Sequence, residues 1–327
     1  MNLPRLITRR FCLRTLAFGC RGAVLAVSSR ALKAAGLPHT GRLNWDVPLG
    51  ADSLSQRQFR ADAQVLLLGV PLLHRTNVGG GNAVWRESAT PEGGLLRLLE
   101  FTGFSLPERA AGLNRMGFIR ELSRFTGKTP SESIYFGLMT SSPEESADEA
   151  RRALTAHSPE VAYSVIEGRI AGDGVETAGA HFMAPARWSV DNRGELMDRA
   201  QSALAASSKS AAEVGMHGTG SPPFLQSLAE LLREPLLEET HYIYSSRVYH
   251  MWVNRAPDLK ATAYFREHGL TGENRDVIRI TGRIRRETGG KETSFRLWFE
   301  PGSEIPLPLR IEYQAKSYLR LVFEAVA

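Results

Sequence analysis

Residues 278–325, IRITGRIRRETGGKETSFRLWFEPGSEIPLPLRIEYQAKSYLRLVFEA, decide the fold. Ile278, Ile280 and Ile284 alternate with Arg279, Thr281, Arg283 and Arg285, and Phe295, Leu297 and Phe299 alternate with Arg296, Trp298 and Glu300. Leu309, Ile311 and Tyr313 alternate with Arg310, Glu312 and Gln314, and Leu319, Leu321, Phe323 and Ala325 with Tyr318, Arg320, Val322 and Glu324. A period of two means a strand with one face buried. Breaks at Glu287 to Gly290, Pro301-Gly302 and Ala315-Lys316 separate the four runs. They read as an antiparallel meander with one apolar face and one face of Arg and Glu.

The same alternation stands near the other end of the chain, where Phe59, Ala61, Ala63, Val65 and Leu67 are interleaved with Arg60, Asp62, Gln64, Leu66 and Leu68. Gly79-Gly80-Gly81-Asn82 reads as a turn from this strand into a partner over Ala83 to Glu87. The middle of the chain mixes signals. Ser105-Leu-Pro-Glu108 has capping-box spacing with Pro in the first turn and predicts a helix to about Phe125. Ser142-Pro-Glu-Glu145 predicts another to about Ala156, Ser221-Pro-Pro a third to about Arg233, and Gly194 to Ala205 a fourth, followed by a flexible Ser207 to Ala212 connector. Val161 to Ile170 and Val175 to Met183 flank Ala171-Gly-Asp-Gly174 as a hairpin. The expected class is α+β. A large curved antiparallel sheet, partly open and barrel-like, is built from N- and C-terminal strands, with a helical or mixed middle lobe over residues 105–235.

With the strand Phe295-Arg-Leu-Trp-Phe-Glu300, the link Pro306-Leu-Pro308-Leu-Arg310-Ile311 and the closing Leu321-Val-Phe-Glu324, the last eighty or so residues resemble the strand endings of exported bacterial proteins of unknown function. That resemblance implies a curved antiparallel sheet and no particular activity.

The formal net charge is +5, but its distribution matters more than its sum. Arg5, Arg9, Arg10, Arg14, Arg21, Arg30, Lys33 and Arg42 precede the first carboxylate, Asp46. Removing those eight cations from +5 leaves −3, so the rest of the chain has no net electrostatic reason to seek nucleic acid. Both cysteines, Cys12 and Cys20, lie in the same segment. Without it the chain has no thiol for a nucleophile, a disulfide or a zinc site. Thr8-Arg9-Arg10-Phe11-Cys12-Leu13-Arg14 resembles a twin-arginine export signal, which implies a periplasmic or extracytoplasmic protein. An organellar transit peptide is the alternative. The expected division is a targeting leader over 1–40, a linker over 41–56 and a globular region over 57–327. The apolar run Val65 to Leu73, broken by Gly69 and Pro71, is too short to span a bilayer.

Catalytic motifs fail in detail. Gly127-Lys128-Thr129 lacks the first glycine of a P-loop, since position 122 is Leu122, and Gly79-Gly80-Gly81 lacks the last glycine of a dinucleotide fingerprint, where Val84 stands. There is no Gly-x-Ser-x-Gly elbow and no paired-histidine metal spacing, so no metal and no cofactor are expected. Gly215-Met216-His217-Gly218-Thr219-Gly220-Ser221 offers a weak hydrolase candidate, with Ser221 as nucleophile and His217 or His181 as base. If Tyr242 to Val253 is one strand, then Tyr242, Tyr244, His250 and Trp252 share a face suited to a ligand. The leading expectation is therefore a non-catalytic binding or envelope-associated protein that holds an apolar small molecule or lipid. An exported hydrolase is the rival.

Overall fold

A computed structural model describes residues 43–45, 53–67, 70–110, 112, 114–141, 159–172, 174–207, 210–213, 220–303 and 305–327. The leader over 1–40, the expected helix from Ser142 to Ala156 and His217 lie outside the described residues.

Leu43–Ala327 forms one compact unit around a single antiparallel sheet of fourteen strands. Its first half comprises β1 (Ser53–Leu67), β2 (Val70–Ala89), β3 (Leu95–Ser105), β4 (Met116–Phe125), β5 (Pro130–Thr140), β6 (Glu160–Ala171), β7 (Gly174–Pro185) and β8 (Ser210–Glu213). The second half comprises β9 (Glu239–Tyr244), β10 (Arg247–Pro257), β11 (Ile278–Arg286), β12 (Thr293–Phe299), β13 (Arg310–Lys316) and β14 (Leu319–Ala325). Both halves meander, and the two meanders join where β1 pairs with β14 (Phe59 opposite Ala325, Val65 opposite Leu319). The spatial order runs β8 to β1, then β14 to β9, so the sheet does not close.

Among the described residues three helices accompany it: α1 (Arg193–Ala205), α2 (Phe224–Arg233) and α3 (Leu259–Glu267). The protein is thus mostly β, which corrects the α+β expectation. The expected helix from Ser105 is a single turn, with Arg109 and Ala110 N–H donating to Leu106 C=O, and β4 follows it. The reason is that β4 is covered on both faces. Phe118 and Leu122 are buried on one side, Glu121 and Ser123 on the other, and a strand buried twice loses the alternation that would distinguish it from a helix. β4 to β8, within the span expected as a middle lobe, continue the main sheet.

The glycine run also plays a different part. Gly79, Gly80 and Gly81 sit inside β2, opposite Ala61, Arg60 and Phe59. A Cβ on Gly79 would lie 2.0 Å from the Phe104 carbonyl oxygen, so the backbones of β2 and β3 approach too closely there for any side chain. The strand bends at the adjacent bulge, where Asn77 adopts φ +54 and its N–H donates to Asp62 Oδ1 at 2.7 Å.

Residues opposite one another in an antiparallel ladder point to the same side, so the register assigns two faces. The concave face carries Phe59, Ala61, Leu99, Glu121, Tyr135, Tyr242, Met251, Ile280, Leu297 and Phe323. On the convex face, α1 packs Leu196, Ala200 and Leu204 against Phe118, Phe136, Leu138 and Tyr163. α3 packs Phe265 against Trp298 and Leu309, and its N-cap Asp258 also accepts from the Trp298 indole at 3.0 Å. The sheet spirals. The free end of the C-terminal meander, the β9–β10 hairpin, lies against the concave face of β5 to β7, with Ile243 and Val248 packed among Tyr135, Ile170 and Val175.

Candidate functional site

Among the described residues α2 is the helix on the concave face. It begins after Pro222-Pro223 and lacks a local side-chain cap, so its first free amides need a partner from elsewhere. Glu121 on β4 supplies it. One carboxyl oxygen accepts from Leu225 N–H at 2.8 Å and the other from Gln226 N–H at 2.9 Å. Glu121 is fully buried, and that burial pushes its carboxyl up to about 8 although the two amides act in the opposite sense. Gln226 Nε2 donates to Arg97 C=O and Ser227 Oγ to His241 C=O, which fixes the rotation of the helix. Ala229 then enters the cluster of Phe59, Trp85, Leu99 and Phe323, while Leu231 and Leu232 enter that of Met251, Ile280 and Phe295. At its C-terminal end Arg233 reaches Glu87, which also holds the buried Arg97 at 2.6 Å. Burial alone would raise the Glu87 carboxyl, but hydrogen bonds from Arg233 and Arg97 hold it below its ordinary range.

α2 therefore covers the concave face from its middle to the end that carries Glu87, Arg97 and Arg255. The opposite end, bounded by the β9–β10, β11–β12 and β13–β14 turns, is left without a helix among the described residues. There the apolar residues remain partly open. Tyr313 is 41% and Leu73 49% exposed, and Val65, Ile284, Leu319, Leu321 and Tyr249 are half-buried. Tyr249 stacks on Tyr242 with ring centroids 5.1 Å apart. Burial raises the Tyr242 hydroxyl well above its ordinary value, and the hydroxyls of Tyr249 and Tyr313 add to that effect. Burial likewise pushes Tyr244 up to about 12. The hydroxyls of Tyr242 and Tyr244 thus stay neutral over the physiological range.

The residues singled out for a ligand divide between the two faces. Tyr242 to Val253 is a hairpin and not one strand, turning at Ser245 and Ser246, both at φ +54. Two successive positive φ values form the tight turn that suits right-twisted strands, and glycine or asparagine usually marks it. Here tertiary contacts hold it instead: Ser245 N–H donates to the Tyr135 hydroxyl at 3.2 Å, and Ser246 Oγ lies 2.6 Å from Thr177 Oγ1. The turn inverts the expected parity. Tyr242 and Tyr244 join Tyr249 and Met251 on the concave face, whereas His250 and Trp252 join His241 on the other. His250 stacks between His241 and Trp252, with centroids 4.3 and 3.8 Å away, and lies 3.1 Å from a Glu239 carboxylate oxygen.

Of the candidate hydrolase residues, Ser221 and His181 do not meet, and His217 lies outside the described residues. Ser221 lines a cleft of about 160 Å³ with Ser133 and Ile170. His181 is opposite Ser164, and its Nδ1 lies 3.0 Å from Ser164 Oγ. Six residues of β6 separate Ser164 from Ile170, about 20 Å at the rise of a strand, far beyond the reach of a base. Nor does Ser221 cap α2, since Glu121 does so. A second cleft of about 300 Å³ lies on the convex face where β1 meets β14, lined by Arg60, Asp62, His74, Tyr264, Arg310 and Glu324. Its ionic groups are already matched to one another. His74 and Arg60 lie within 4 Å of Asp62, and Tyr264, Arg60 and Arg310 engage Glu324. Among the described residues no cluster of three or more metal-ligating side chains occurs, and no helix is long and apolar enough to cross a membrane.

No family model matches the chain, and no curated protein matches it. Among solved structures it is similar to the β-barrel-like protein of domain of unknown function DUF1849 from Brucella abortus. The identity is 8%, with a TM-score of 0.43, over 83% of this chain and 95% of that one.

Sequence reasoning missed Tyr249, Ile284, Tyr313 and Leu321 as members of a site. Apolar alternation placed Ile284, Tyr313 and Leu321 on the buried face, but no local signal says where a distant helix stops covering that face.

Proposed function

We propose that the protein is a non-catalytic binding protein that holds an apolar ligand at the turn-bounded end of its concave face. The observation that carries this reading is the partial cover given by α2. One helix shields half of a continuous apolar surface, and the other half presents Tyr249, Ile284, Tyr313, Leu321 and Leu73 partly open to solvent. Partly open aliphatic surface framed by tyrosines is the usual make-up of a small-molecule site. Covering eight methylenes of a ligand there would contribute about 6 kcal/mol, a dissociation constant of tens of micromolar. The reading is tested by fluorescence titration with a neutral probe, N-phenyl-1-naphthylamine. Saturable enhancement that Tyr313→Asp abolishes, in a variant whose far-ultraviolet dichroism is unchanged, supports it. Enhancement that Tyr313→Asp leaves intact rejects it.

The same proposal puts the protein outside the cytoplasm, on the strength of the Arg9-Arg10 signal. Replacing both arginines by lysine should leave the chain in the cytoplasmic fraction. Unchanged fractionation would exclude the twin-arginine route.

A further inference from the structure

Several arginines on this sheet are bound to carboxylates, and Arg57 and Arg255 donate to backbone carbonyls instead. Arg60 is bound to Glu324, Arg97 and Arg233 to Glu87, Arg120 to Glu100 and Arg296 to Glu312. At the open end of the concave face, Arg286, Arg75 and Arg247 have neither kind of partner among the described residues. Arg286 stands opposite Tyr249 in the β10–β11 ladder, so its side chain leaves the sheet on the side of the stacked tyrosines. It is half-buried and its Nε–H is shut away from water with no acceptor, and no described carboxylate, its neighbour Glu287 included, lies within ion-pair distance. Arg75, opposite Ala63 on the same face, is exposed and likewise has no carboxylate partner among the described residues. A half-buried guanidinium costs desolvation free energy that an ion pair normally offsets. Here the described residues do not provide that pair.

We infer that the ligand of the open end is an anionic amphiphile, its carboxylate or phosphate headgroup engaging Arg286 and its chain lying across Ile284 toward Tyr313 and Leu321. This rests on the apolar-site reading above and adds the charge of the ligand to it. The geometry matches such a molecule. Arg286 lies four residues beyond the level of Tyr313 along β11 and two strands across, which is about 16 Å, the reach of a medium-length acyl chain. A guanidinium fork suits carboxylate and phosphate oxygens alike. The tail meets partly open aliphatic and tyrosine surface, and Arg75 adds positive potential from the far rim without needing direct contact.

The test is displacement of N-phenyl-1-naphthylamine by dodecanoate, dodecyl phosphate, dodecanol and inorganic phosphate, in the full protein and in Arg286→Met and Arg286→Lys. The expected result is at least tenfold tighter binding of both anionic amphiphiles than of dodecanol, reduced to within about threefold in Arg286→Met and retained in Arg286→Lys, with inorganic phosphate displacing nothing. Equal displacement by the anions and dodecanol overturns the headgroup assignment while the apolar site stands. Binding of inorganic phosphate as tightly as dodecyl phosphate overturns the amphiphile and indicates a simple anion site. Displacement by none of the twelve-carbon compounds overturns both this inference and the reading on which it rests.

Discussion

Replacing Glu121 by glutamine should remove a pH dependence of stability that the buried cap imposes. An unfolded chain titrates this carboxyl near 4.5, whereas burial beneath α2 raises it to about 8. Between those values the folded state holds a proton that the unfolded state has released. The contribution is therefore complete below about pH 4.5 and is lost as pH rises through the window to 8. At 1.36 kcal/mol for each unit of pH, the loss is about 3 kcal/mol by pH 7 and about 5 kcal/mol by pH 8. The amide introduced by Glu121→Gln is neutral throughout and keeps an oxygen for the Leu225 and Gln226 amides. The variant should match the parent near pH 4.5 to within about 1 kcal/mol and exceed it increasingly above pH 6. Urea unfolding followed by tryptophan fluorescence at half-unit steps from pH 4.5 to 8.5 measures both. The difference between the two proteins cancels the titration of every other group. A difference that stays flat, or falls with rising pH, would refute the claim that Glu121 is buried without a counter-cation.

Other consequences can be checked with the same unfolding measurement. Gly79→Ala should cost about 3 kcal/mol, because its Cβ meets a backbone carbonyl that cannot swing aside, while Gly117→Ala, with nothing within 4 Å, should be neutral or slightly stabilising. Ser245→Gly should stabilise by about 1 kcal/mol, since it relieves a positive φ and keeps the N–H that donates to Tyr135. Glu87→Gln should destabilise by about 3 kcal/mol at pH 7 by removing the carboxylate charge that the buried Arg97 and the half-buried Arg233 share. Because Glu87 is held below its ordinary value, that contribution is present above about pH 4.5 and lost as pH falls further, so the gap between parent and variant should close in acid.

The C-terminal meander was legible because each strand buries one face only, and its observed register pairs the residues that the alternation had placed on a common side, such as Ile280 with Leu297 and Ile311 with Phe323. β4 was not, since cover on both faces removes the period, and the Ser105 to Glu108 spacing imitated a helix start. The triglycine looked like a turn because close backbone approach and chain reversal demand the same residue. The Ser245-Ser246 reversal carried no turn residue at all. Its cost is met by Tyr135 and Thr177, which are over sixty positions away in sequence, so half of the expected ligand face landed on the wrong side. Tyr242 and Tyr244 were read from alternation as sharing a face suited to a ligand, and both stand on the concave face. Arg286 and Tyr313 required knowledge of where α2 ends, and its position is set by a carboxylate about a hundred residues earlier.

The central claim is that a ligand fills the open half of the concave face beside a stationary α2. Hydrogen–deuterium exchange of the protein with and without saturating dodecanoate tests it most directly. The account predicts slowed exchange in residues 247–250, 283–287, 312–316 and 318–322, with exchange in residues 224–233 unchanged. Faster exchange in 224–233, the mark of a ligand that displaces the helix, or no slowing in the four strand ends, would contradict it.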